Sequence, residues 1–146
     1  MNPIRDSQFR LELAAGFLRE AEQDLGLSRW RSCVDNAQMA IENAAKAVVA
    51  MRGPVPKTHQ IEKALSRLDK DPLLKSLRTE IATLGEIARK LGFEEHIRTD
   101  YGDETHYRTP WELFDQESAE EAVSLARRAH DTAQRIIEKW PQKKRK

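Results

Sequence analysis

Apolar residues recur at helical spacing along most of the chain. From near Asp6 or Ser7 to Leu25, the positions Leu11, Ala14, Ala15, Leu18, Ala21 and Leu25 share one helical face, and Gly26 supplies a stop. A second helix is predicted to open after Ser28, a residue type that caps helix N-termini, and to run through Trp30 to Arg52, where Gly53-Pro54 ends it. The short connection makes these two an antiparallel hairpin. Within the second helix Cys33, Ala37, Ala40, Ala44 and Ala47 recur at steps of four, three, four and three, with Val34, Ile41 and Val48 widening the stripe. Side chains this small let another helix approach closely, so the stripe is read as a core seam.

Gly53-Pro54-Val55-Pro56-Lys57 is a stiff connector, because each proline fixes φ and keeps the residue before it out of the helical region. A short third helix follows, capped by Thr58, with Ile61, Leu65 and Leu68 as its apolar face and an end near Lys70. Asp71-Pro72 reads as a cap and first-turn proline opening a fourth helix, whose stripe is Leu74, Leu77, Ile81, Leu84, Ala88 and Leu91 up to a stop at Gly92. From Phe93 to Asp115 neither helical nor strand period is clear, and the segment is expected to be a long functional loop. The last helix is the most regular: Ser118-x-x-Glu121 has the form of a capping box, Ala119, Ala122, Ala126, Ala129, Ala133, Ile136 and Trp140 keep a three-four rhythm, and Pro141 closes it. With no strand candidate, the predicted fold is all-α: an up-and-down four-helix bundle plus one short helix, with a long loop before the last helix.

Composition agrees. The 146 residues include only six Gly and six Pro, suit one ordinary domain, and favour helix over strand. Residues 1–140 are expected to form the bundle and 141–146 a basic tail. One cysteine, Cys33, cannot form an intrachain disulfide, which suits a reducing compartment. No apolar run approaches the roughly 20 residues that span a bilayer, and Met1-Asn2-Pro3-Ile4-Arg5-Asp6 lacks a secretory apolar stretch. A cytoplasmic protein without membrane attachment is expected. Net charge is only +1 although 34% of residues are charged, so the signs are interleaved and bulk charge names no partner. The exception is Lys143-Lys144-Arg145-Lys146, read as a solvated tail.

Chemistry concentrates in the central segment. Phe93 to Tyr107 holds five carboxylates, one arginine, two histidines and two tyrosines. His96, Asp100, Asp103, Glu104 and His106 are all competent metal ligands, but their spacing matches no metal motif, and no metal or cofactor is expected. Arg89 and His96, seven residues apart, would share a face of an unbroken helix with roughly 10 Å between their α-carbons. An arginine holds a phosphate through paired hydrogen bonds and a histidine transfers protons near neutral pH, a combination suited to metal-free RNA cleavage. The alternative is an exposed helix charge and a hydrogen-bonded loop histidine. Trp111, near Leu113 and Phe114, either stacks a nucleotide ring or anchors the loop to the bundle. Cys33 is read as a core residue.

The run Phe17-Leu18-Arg19-Glu20-Ala21-Glu22-Gln23-Asp24-Leu25, then Trp30, then Asp35-Asn36-Ala37-Gln38-Met39-Ala40-Ile41-Glu42-Asn43-Ala44-Ala45-Lys46-Ala47 resembles the first two helices of HEPN domains. So do Thr58-His59, the Asp100-Tyr101-Gly102-Asp103-Glu104 run, Pro110-Trp111-Glu112 and the Ala-rich last helix. The resemblance implies a helical bundle that pairs as a homodimer and is often encoded beside a minimal nucleotidyltransferase as toxin and antitoxin. In active members an arginine, a spacer of roughly four to six residues and a histidine form a metal-independent ribonuclease site at the dimer interface. Arg89-x6-His96 sits at the upper end of that spacing, which makes Arg89 and His96 the expected catalytic pair. Lys90 and Leu91-Gly92 depart from the shorter spacer with a polar residue after the arginine. A tyrosine two residues beyond the histidine, modified by the partner in some members, is replaced here by Arg98. Arg98, Asp100, Tyr101, Asp103, Glu104 and Trp111 are the expected residues for binding RNA, a nucleotide or the partner. The acidic residues among them repel RNA phosphates unless neutralised by a basic partner or by Arg89, Lys90, Arg98 and Arg108. The alternative function is a non-catalytic nucleotide- or partner-binding module.

Overall fold

The computed structural model describes residues 2–58 and 60–142. His59 and the basic end Lys143-Lys144-Arg145-Lys146, singled out above, lie outside the described residues. The described chain is all-α: α1 (Pro3–Gly26), α2 (Trp30–Ala50), α3 (Ile61–Leu68), a 3-10 turn (Pro72–Leu77), α4 (Arg78–Lys90), α5 (Phe93–Tyr101), α6 (Pro110–Leu113) and α7 (Gln116–Glu138). Among the described residues there is no strand, only an isolated bridge between Asp103 and Arg108.

Helix α2 is the central element. It packs along α1, α7 and α5 and touches α3, α4 and α6. Its small-residue stripe is the core seam expected: Cys33, Ala37, Ala40, Ala44 and Ala47 are fully buried, and the Cys33 thiol points at the Ala119 carbonyl on α7, 3.7 Å away. The stripe of the fourth helical segment is equally well buried from Leu74 to Leu91. Each large aliphatic side chain taken out of water there contributes on the order of 1.5–3 kcal/mol, before the cost of ordering the chain. The α1–α2 hairpin is also pinned by a polar contact: the buried Asp24 carboxylate accepts from Ser32 Oγ at 2.7 Å and Asn36 Nδ2 at 2.8 Å.

Helix boundaries differ from the sequence expectation where a cap was misassigned. The Asn2 side chain accepts from the backbone N–H groups of Ile4 and Arg5, which starts α1 at Pro3 rather than near Asp6. Ser28 is not a cap; it takes a left-handed conformation in the turn, and Arg29 occupies the cap position without a side-chain hydrogen bond. Asp115, not Ser118, caps α7: its carboxylate accepts from Ser118 N at 2.9 Å while Ser118 Oγ accepts from Asp115 N at 2.9 Å. Asp71 caps as expected, but the turn it opens is 3-10 before α4 begins.

The largest difference is the segment from Phe93 to Asp115. It is not a long loop. It contains α5, a tight turn from Gly102 to Arg108, and the single turn of α6, which is capped by reciprocal Thr109–Glu112 bonds. Helix α5 escapes a periodicity reading because it is short and half-exposed; Thr99 is its one fully buried side chain among those described. Gly102 ends it at φ 71° and ψ −153°, a conformation open essentially to glycine alone.

Candidate active site

Two turns of α2 and two turns of α5 face each other, because Arg31 and Asp35 are four residues apart and His96, Thr99 and Asp100 are spaced by three and four. Asp35 Oδ1 lies 2.9 Å from His96 Nδ1 and accepts from Thr99 Oγ1 at 3.2 Å. The Thr99 hydroxyl also lies 2.6 Å from the His96 carbonyl. Arg31 donates to the Thr99 carbonyl at 3.0 Å and stands 3.8 Å from Asp100. Asp100 in turn approaches His96 Nε2 at 3.7 Å. The imidazole is therefore held between two carboxylates, with a buried threonine fixing the backbone beneath it.

A carboxylate on Nδ1 fixes which ring nitrogen carries the proton and orients the ring. With Nδ1 directed at Asp35, Nε2 lies 3.7 Å from Asp100. His96 is one-third exposed and Asp35 about one-quarter exposed, so water and ligand can reach the pair (33% and 26% of the side chain).

The expected catalytic pair is not arranged as an unbroken helix would arrange it. Lys90 ends α4 and Gly92 is extended, so Arg89 closes one helix while His96 belongs to the next. Arg89 is exposed in the last turn of α4. The arginine brought to the histidine's partners is Arg31, which the sequence reading passed over, as it did Asp35 and Thr99. A signal existed: Arg31, Asp35, Gln38 and Glu42 form a polar line at steps of four, three and four along α2.

The other expected site residues divide. Asp100 joins the cluster. Trp111 is 73% exposed with the Arg31 guanidinium 5.8 Å from its ring centroid, a cation–π arrangement; Phe114, buried in the core, does the anchoring instead. Arg98 pairs within its own helix with Glu95 at 3.7 Å. Asp103 turns onto the 102–108 turn, where His106 donates to it from the backbone at 3.2 Å and the ring stands at 2.8 Å. That side-chain hydrogen bond holds the Asp103 carboxyl below the usual carboxylate range. Tyr101 and Glu104 are exposed and line one hollow with Ile97, Arg98 and Asp103. Among the described residues no three His, Cys, Asp or Glu side chains converge as a metal site, and no helix is long and apolar enough to cross a membrane.

No curated protein matches the sequence. The crystal structure of TT1696 from Thermus thermophilus superposes with a TM-score of 0.67 at 27% identity, over 88% of this chain and 96% of that one. The HEPN domain family model matches residues 7–137, which takes in the α1–α2 hairpin, the Arg31–Asp35–His96 cluster and nearly all of α7. A bundle of this topology matched over that span makes the chain a member of the HEPN domain family.

Proposed function

We propose that this HEPN protein is a metal-independent ribonuclease, the toxin-like half of a toxin–antitoxin pair with a minimal nucleotidyltransferase, acting as a cytoplasmic homodimer. The observation that carries the reading is the 2.9 Å contact between Asp35 and His96 Nδ1. In RNA cleavage without a metal, the 2′-hydroxyl attacks the adjacent phosphorus, losing its proton, and the 5′-oxygen leaves, gaining one. A carboxylate-oriented imidazole serves either transfer through Nε2. The phosphate needs cations, and Arg89 remains the family-type candidate, supplied at a twofold interface from either copy, with Arg31 close to the histidine's own partners.

Replacing His96 by Ala tests this. RNA cleavage by the purified protein falls by at least about a hundredfold, and growth arrest on expression disappears. Unchanged cleavage removes His96 from the mechanism. Light scattering tests the homodimer, and co-purification with the product of an adjacent gene tests the transferase pairing.

A second reading, a non-catalytic nucleotide- or partner-binding module, draws support from the acidity of the cluster. Asp35 and Asp100 both face His96, and a strand phosphate entering there meets two negative charges. No cleavage by wild-type protein together with tight partner binding selects this reading.

A further inference from the structure

Where the start of α2 meets α6, Arg29, Trp30, Arg31, Trp111, Phe114 and two serines line a hollow of about 320 Å³. Its chemistry differs from that of the histidine cluster next door. None of its described lining residues is acidic. Two guanidinium groups bound it, and neither is consumed by a close ion pair: Arg29 is 4.0 Å from Asp24 and 65% exposed, and Arg31 is 3.8 Å from Asp100. The Trp111 indole, 73% exposed, keeps room for a planar ring beside the guanidinium it already carries.

We infer that this hollow binds an aromatic base carrying a phosphate group, with the base stacked on Trp111 and the phosphate held by Arg29. Exposed indole surface stacks any base, and a guanidinium pairs with phosphate oxygens through two hydrogen bonds. Arg31 joins the two regions, since it touches Trp111 on one side and the Thr99 carbonyl, below His96, on the other. A nucleotide in the hollow therefore presents its neighbour in the strand toward His96. The role as a flanking subsite rests on the ribonuclease reading; binding itself does not.

The test uses the full chain carrying His96→Ala, so that RNA is not consumed, and an end-labelled short oligoadenylate read by fluorescence anisotropy. Trp111→Ala and Arg29→Ala each weaken binding roughly tenfold or more, whereas Trp111→Phe, which keeps a stacking ring, retains most of it. Both side chains are exposed, so these variants fold. Adenosine monophosphate that displaces the oligonucleotide shows that the hollow also accepts a free nucleotide; failure to displace it assigns the site to the strand. Equal affinity of Trp111→Ala and its parent, or no binding of either probe, overturns the inference. Binding that depends on Trp111, in a protein whose wild type cuts no RNA, overturns the ribonuclease reading alone.

Discussion

Asp35 on α2 holds two residues of α5 at once, the His96 ring at 2.9 Å and the Thr99 hydroxyl at 3.2 Å, although more than sixty positions separate them in the chain. One carboxylate thus docks a helix and orients an imidazole. Asp35→Asn preserves volume and removes charge; cleavage is expected to drop by at least about tenfold. The imidazole nitrogen signals in NMR should report the Nδ1-protonated tautomer in the parent and shift toward a mixture in the variant. A variant with unchanged tautomer and rate refutes the orienting role.

Gly102→Ala is expected to disrupt the turn that carries α5 into α6. At φ 71° and ψ −153° an L-residue is strained, and the added methyl would run into the Arg108 carbonyl oxygen, with Pro110 Cδ at 3.1 Å behind it. Strain of this kind costs on the order of 1–3 kcal/mol. Denaturant melts should show that loss, and hydrogen exchange should speed up most in residues 93–114.

Asp24→Ala leaves the Ser32 hydroxyl and Asn36 amide without their shared acceptor at the tip of the α1–α2 hairpin. An unmade buried hydrogen bond costs about 1–3 kcal/mol; both donors here are part-buried, so the denaturation midpoint should fall by an amount toward the lower end of that range. Asp24→Asn, which retains an acceptor oxygen, should lose less. Equal stability of all three proteins would show that the contact contributes nothing.

Burial, reinforced by the nearby Asp24 carboxylate, pushes the Cys33 thiol up to about 11. The native protein should not react with a thiol reagent at about pH 8, and the denatured protein should react fully. Because the folded state raises this pKa, the protonated thiol's contribution to stability is complete below the ordinary thiol range. It is lost as pH rises from there through the folded value.

Asp115 behaves oppositely. Hydrogen bonds from the Ser118 backbone and side chain hold its carboxyl below the usual carboxylate range. The cap is therefore fully present above that range and is lost as pH falls through the depressed value. Exchange of the Ser118 amide should accelerate in acid before the core amides of α7 do, and Asp115→Ala should abolish that pH dependence.

The helices that form the core were legible from sequence because a buried face must repeat every three or four residues, and Cys33 to Ala47 and Leu74 to Leu91 do so without interruption. Cap assignments were less secure, since several polar residues near each helix start compete and backbone geometry selects among them: Asn2 over Asp6, Asp115 over Ser118. Helix α5 was invisible for a related reason: among its described side chains one is fully buried and none forms an apolar stripe facing the core. His96 and Trp111 could be named from chemistry and resemblance, but their surroundings could not. Asp35 and Arg31 look like ordinary solvent-facing charges until the chain folds α5 across them, because hydrogen bonds between residues distant in sequence leave no periodic trace. Helical content and core were properties of local pattern. Which carboxylate meets the histidine was decided by how α5 docks on α2.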